Sequence, residues 1–184
     1  MPYSNNSQNK RFLHFEVLGI IIVCILAPVF HFLFAWSGNS QFVGLFAAVN
    51  ESVWEHTKIV YFPFLFYSII EYFVLKPDFR RFFVAKTISM SLILLLMVTF
   101  FYTYTGMFGM ESLTVDIIFT FVLTILVFYV SYHLYFSGKA LEKYFCFYLV
   151  LFIIILAMEL LFTAFPPHIP LFQDSETLTF GFPA

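Results

Sequence analysis

Six side chains in a chain of 184 residues that is 61% apolar are of types that hold metal ions or move protons: His31, Glu51, Glu55, His56, Glu159 and His168. Neutral imidazole and carboxylate oxygen both ligate zinc, iron and manganese, and either group can carry a proton during a reaction. The tightest grouping is Glu51, Glu55 and His56. On a helix that starts near Asn50 or Ser52, Glu51 and Glu55 share a face and His56 stands about 100° round from Glu55. His31, Glu159 and His168 are remote in sequence, so a shared centre has to be assembled from three separate segments. We read His31, His56, Glu159 and His168 as candidate ligands of a zinc, iron or manganese ion, and Glu51 and Glu55 as the candidate acid and base. A plainer reading stands beside this one. Ser52-Val53-Trp54-Glu55 fits a helix-capping box, both acids suit the positive end of a helix dipole, and Lys58 can pair with Glu55 at i, i+3. His31 alone reads more readily as a hydrogen-bonded core histidine, and His168 equally as an ordinary tail residue. No H-E-x-x-H or comparable metal spacing occurs in the sequence.

The elements that must position these groups follow from composition. With 11% charged residues, 23% aromatic residues and a mean hydropathy of +0.91, the chain cannot be a water-soluble globule. The net charge of −2 carries no partner information, and no nucleic-acid partner is expected. Cys24 and Cys146 each sit inside an apolar run and read as small hydrophobes. Crossing a bilayer takes about 20 apolar residues, and lipid offers no partner for free backbone groups, so runs of that length must be helices. Five emerge, over residues 17–36, 57–75, 82–104, 113–136 and 144–165. The expected fold is an all-α integral membrane bundle of five transmembrane helices, forming one membrane domain over the whole chain.

Orientation follows from the basic residues. Lys10 and Arg11 precede the first span, Lys76, Arg80, Arg81 and Lys86 flank the second connection, and Lys139 and Lys143 flank the fourth; Lys58 alone borders the opposite side. The expected protein is a multi-pass cell-membrane protein with residues 1–12 cytoplasmic and residues 166–184 forming an extracytoplasmic tail. Met1 to Asn9 is expected to be disordered or interfacial. The connection from Ser37 to His56 has an apolar centre too short to cross, which predicts an outer re-entrant or interfacial segment.

Depth then brings the remote residues together. His31 lies about 7–8 Å inside the outer end of the first span and Glu159 about 9 Å inside that of the fifth. A lone intramembrane carboxylate costs about 2 kcal/mol or more on insertion scales, so Glu159 must face the bundle and have a partner. Pro28 frees the carbonyl of Cys24 and bends the first helix just before His31. The prolines of Pro166-Pro167-His168-Ile169-Pro170 stiffen the tail that would carry His168 back over the mouth. Asp116 reads as a helix-start acid and Glu111 as a solvated turn residue. In the inner half, Glu16, Glu71 and His133 are expected to pair or snorkel with Lys10, Arg11, Lys76 or Lys143.

Three stretches also carry a resemblance: His31-Phe32-Leu33-Phe34-Ala35-Trp36-Ser37-Gly38, Asn50-Glu51-Ser52-Val53-Trp54-Glu55-His56, and Pro166-Pro167-His168-Ile169 with Asp174 and Gly181. Together they resemble an uncharacterised family of small bacterial multi-pass membrane proteins, a domain of unknown function. The resemblance implies membrane location and a motif-bearing outer face, and it implies no reaction. Three functions compete on the residues alone. The first is a metal-dependent membrane hydrolase acting on lipid or lipid-linked substrates. The second is a cation-coupled, proton-coupled or small-solute transport or binding subunit, for which the missing internal repeat is unfavourable. The third is a structural membrane partner without catalysis.

Overall fold

The computed structural model describes the backbone of residues 3–183 and the side chains of residues 8–183. Each apolar run forms a helix, and the turn residues between the runs end it. The helices are α1 (Tyr3–Trp36), α2 (Gln41–Gly44), α3 (Val53–Leu75), α4 (Phe79–Phe108), α5 (Leu113–Ser137) and α6 (Phe145–Ala164). All but α2 are long and apolar enough to cross a membrane. No strand is present among the described residues beyond a single bridge between Gln173 and Phe180. The protein is therefore an all-α, multi-pass bundle, as its composition requires.

Two boundaries differ from the sequence expectation. The polar segment before Lys10 continues α1 back to Tyr3, whereas it was expected to be disordered or interfacial. Once a long helix is nucleated, each further residue adds a backbone hydrogen bond at little cost. Met1 and Pro2 lie outside the described residues. At the fourth connection a 3-10 turn over Lys139–Tyr144 feeds directly into α6.

α3 is the central helix, packed against both α1 and α4, while α4 also meets α5 and α6, and α1 meets α5. Its middle is fully buried: Val60, Tyr61, Phe62 and Phe64 are each 0% exposed. Phe64 packs edge-on against Phe128 of α5 at 4.8 Å. Gly19 permits the close approach of α1, since a Cβ there would lie 2.4 Å from Phe128 and 2.5 Å from Tyr67. Pro28 and Pro63 sit inside α1 and α3 without ending them.

The loop between α1 and α3 folds back onto the bundle rather than outward. Ala47, Ala48 and Val49 are buried. Its irregular backbone finds partners there, as burial demands. The amide of Ala48 donates to the carbonyl of Phe30 at 3.3 Å, and that of Val49 to Glu55 Oε2 at 3.1 Å.

At the opposite end, Lys86 is not a flanking charge. It is buried in α4, with Nζ 3.1 and 3.2 Å from the two Glu16 oxygens and 2.7 Å from Glu71 Oε2. Ser131 completes the group by donating to Glu16 at 3.0 Å. The expected partners of Glu16 and Glu71 are thereby corrected to Lys86. A charge that cannot reach water takes the opposite charge at its own depth, and the terminal lysines and arginines are free to stay solvated. Arg81, by contrast, is partly buried and pairs with Glu142 at 2.5 Å.

Candidate metal centre

Ser52 caps α3, its hydroxyl accepting from the Glu55 amide at 3.3 Å. Only half of a capping box forms. The Ser52 amide goes to Asn50 Oδ1 at 2.9 Å, which leaves the Glu55 carboxylate free for other work. Because the helix proper begins at Val53, Glu51 stands outside it and does not share a face with Glu55. It turns instead toward α1.

There it meets two imidazoles. Glu51 Oε1 lies 3.6 Å from His31 Nε2, and Glu51 Oε2 lies 3.4 Å from His56 Nε2. A ligating atom from each of the three residues falls within 4.8 Å of those of the other two. His56 Nδ1 is 2.8 Å from the carbonyl of Ser52. A carbonyl can only accept, so Nδ1 carries a proton, and Nε2 faces Glu51, as a donor when the ring is an imidazolium and as a lone pair when a metal ion takes that proton's place. The imidazole of His56 beside Glu51 holds this carboxyl below the usual glutamate range, although partial burial works the other way. His31 Nδ1 is buried without a partner.

The three groups stand at one end of a cavity of about 380 Å³ bounded by α1, α3, α4 and α5. Its walls are mostly apolar, including Met97, Phe100, Ile117 and Phe119. Two further carboxylates, Asp116 and Glu111, line it. Both Asp116 oxygens accept from the Tyr104 hydroxyl, at 2.8 and 2.9 Å, and that hydroxyl accepts from the Ser112 amide at 3.2 Å. Phe32 of α1 and Leu113 of α5, both exposed, are among its lining residues, as is the exposed Glu111. Sequence reasoning gave Asp116 only a helix-start role. Its neighbour across the connection, Tyr104, was the available signal, since a buried aromatic hydroxyl needs a partner.

The other expected site residues lie elsewhere. Glu55 and Glu159 meet in a separate buried group on the α6 side of α3. Lys58 Nζ donates to Glu55 Oε2 at 2.8 Å, to the carbonyl of Gly44 at 3.1 Å and to Thr163. Thr57 donates to Glu159 Oε1 at 2.9 Å, and Thr163 to Glu55 Oε1 at 3.0 Å. Glu159 therefore faces the bundle with a partner, as its depth requires. His168 is exposed on the tail and stacks on Phe180 at 4.6 Å. The six residues do not converge on one point: His31, Glu51 and His56 come together, Glu55 and Glu159 form a second group, and His168 stands apart.

The tail does return over the loop, through Asn50 Nδ2 donating to the Gly181 carbonyl at 2.9 Å. A turn at Asp174 shapes it. Burial pushes the Asp174 carboxyl up, but amides from Glu176 at 2.8 Å and Thr177 at 3.1 Å outweigh burial and hold it below the usual aspartate range. A carboxyl depressed by folding stabilises above its unfolded pKa of about 3.9 and loses that contribution as pH falls through the lower folded value. Hydrogen exchange in residues 173–180 should therefore stay slow from neutral pH to about pH 4, after correction for intrinsic rates, and quicken below it. Asp174→Asn should remove this acid-induced step; a step of equal size in the variant would assign it to another group.

No curated protein and no solved structure matches the chain. A family model described as a family of unknown function, DUF6512, matches residues 1–182. Nearly the whole chain is spanned by that match, and the protein belongs to this uncharacterised family, here seen as a bundle with five helices long and apolar enough to cross a membrane.

Proposed function

We propose that the protein is a metal-dependent membrane hydrolase whose ion is held by His31, Glu51 and His56 at the extracytoplasmic side, and whose substrate is an amphiphile that enters from the lipid. One observation carries the reading. One ligand atom from each of His31, Glu51 and His56 lies within 4.8 Å of the other two, and the two imidazoles approach separate oxygens of Glu51 at 3.6 and 3.4 Å, so a small side-chain shift would bring the three to the spacing of about 3.4 Å that tetrahedral bonds of about 2.0–2.2 Å require. Without a cation or a proton between them, a neutral imidazole lone pair and a carboxylate would face each other at that distance and repel. Three protein ligands leave a fourth position for water, the arrangement of catalytic rather than structural zinc sites. The bond from His56 Nδ1 to the Ser52 carbonyl, which holds the ring in place, fits the same pattern. When bound, the ion would supply an activated water near neutral pH for hydrolysis of an ester or amide, the proton released by that water going to the leaving oxygen or nitrogen as its bond to the acyl carbon breaks.

The side assignment rests on charge. With Lys58 and Lys86 buried among acids, the remaining basic residues all belong to the end opposite His31. The test is direct. Purified protein, stripped with chelator and returned to micromolar zinc, manganese or ferrous iron, should retain close to one equivalent per chain after desalting. Retention of none of the three would end the proposal.

A further inference from the structure

The charge of the cavity bears on the head group it admits, an inference that rests on the metal-site reading above. Three carboxylates line it, Glu51, Glu111 and Asp116, and no lysine or arginine does. The one lysine or arginine at this end, Lys58, is 0% exposed and committed to Glu55, Thr163 and the Gly44 carbonyl. A divalent ion set against three carboxylates leaves one net negative charge. A phosphate monoester would add about −1.5 to −2 more inside a largely apolar enclosure, with no guanidinium or ammonium to meet it. Sites that take phosphate supply such groups, commonly a bidentate arginine. A carboxylic ester or amide adds no charge, and an amide N–H or an ammonium can donate to Asp116, which has acceptor capacity beyond the single Tyr104 hydroxyl. The volume of about 380 Å³ lies near the lower end for small-ligand sites. Phe32 and Leu113, exposed apolar side chains of its lining, offer the rest of a chain a path to lipid.

We infer that the substrate is a long-chain carboxylic ester or amide with an uncharged or cationic head, and that lipid phosphates are rejected. The test compares two non-hydrolysable probes of equal chain length, hexadecyl glyceryl ether and hexadecyl phosphate, by native mass spectrometry of the full-length protein in detergent. Zinc-loaded protein should hold the ether at least about tenfold more tightly than the phosphate, since opposed like charges are strongly disfavoured. Glu111→Gln with Asp116→Asn should shrink that ratio to about threefold or less. Should the double variant misfold, Glu111→Gln alone, at an exposed position, should still reduce the ratio. Equal or tighter binding of the phosphate by the zinc-loaded protein overturns the inference while leaving the metal reading intact. If the protein takes up no metal, the metal reading fails separately. The comparison is then made on metal-free protein, where the three carboxylates should favour the ether still more and a preference for the phosphate again overturns the inference.

Discussion

Lys86→Met is expected to destabilise the protein by about 3–5 kcal/mol, the cost of removing one partner from a fully buried ion group. Lys86 is 2% exposed and Glu71 0%, so the variant leaves two carboxylates facing each other with only the Ser131 hydroxyl donating to Glu16. The native arrangement also seats the ammonium within 5.1–5.3 Å of the Phe64, Phe82 and Phe128 ring centroids, contacts that methionine replaces only in part. The group joins α1, α3, α4 and α5, so its loss should loosen the whole basic end rather than one helix. The measurement is reversible unfolding in mixed micelles with increasing dodecyl sulfate. The decisive companion is the triple variant Lys86→Met, Glu16→Gln, Glu71→Gln, which should recover a large part of the loss because no charge is left buried. A single variant within 1 kcal/mol of the parent, or a triple variant no better than the single, would show that the ion group does not hold this end together.

The second large effect concerns the metal. Mutating even an outer-shell partner of a metal ligand commonly costs about 10–100-fold in affinity, so removing a ligand should cost at least about 100-fold. His31→Ala and His56→Ala should each do so in competition titrations against a zinc indicator. Glu51→Gln keeps an oxygen but removes the charge, and should weaken binding as well. His168→Ala is the informative contrast: its ring is exposed and stacked on Phe180, so affinity should stay within about twofold of the parent. Loss of binding in His168→Ala alone would move the ion to the tail and refute the assignment to His31, Glu51 and His56.

The comparison between sequence and structure turns on angles. The five long helices were legible because length and hydropathy decide whether a segment can cross lipid, and backbone hydrogen bonding leaves it no alternative to a helix. Pairing inside the bundle is a matter of azimuth, which spacing along one helix gives only relative to that helix. The 100° offset between Glu55 and His56 was readable, and its consequence is that the two adjacent residues face different neighbours. His56 turns toward His31 of α1, and Glu55 toward Thr163 of α6. His31 and Glu159 meet α3 at the successive residues His56 and Thr57, but α1 and α6 reach α3 on different sides, so the two make no contact. Lys86 misled for a related reason. Near a basic turn it counted as one more flanking charge, whereas it lies two turns into α4, beyond the reach of solvent at that end.

The stack of Phe12 on Tyr135 at 4.5 Å and the wholly buried middle of α3 separate the cavity from the basic end. In the proposed reaction precursor and spent molecule would both exchange on the His31 side, so the two would compete there. Accumulated product is expected to slow turnover in proportion to how poorly it disperses into the surrounding bilayer.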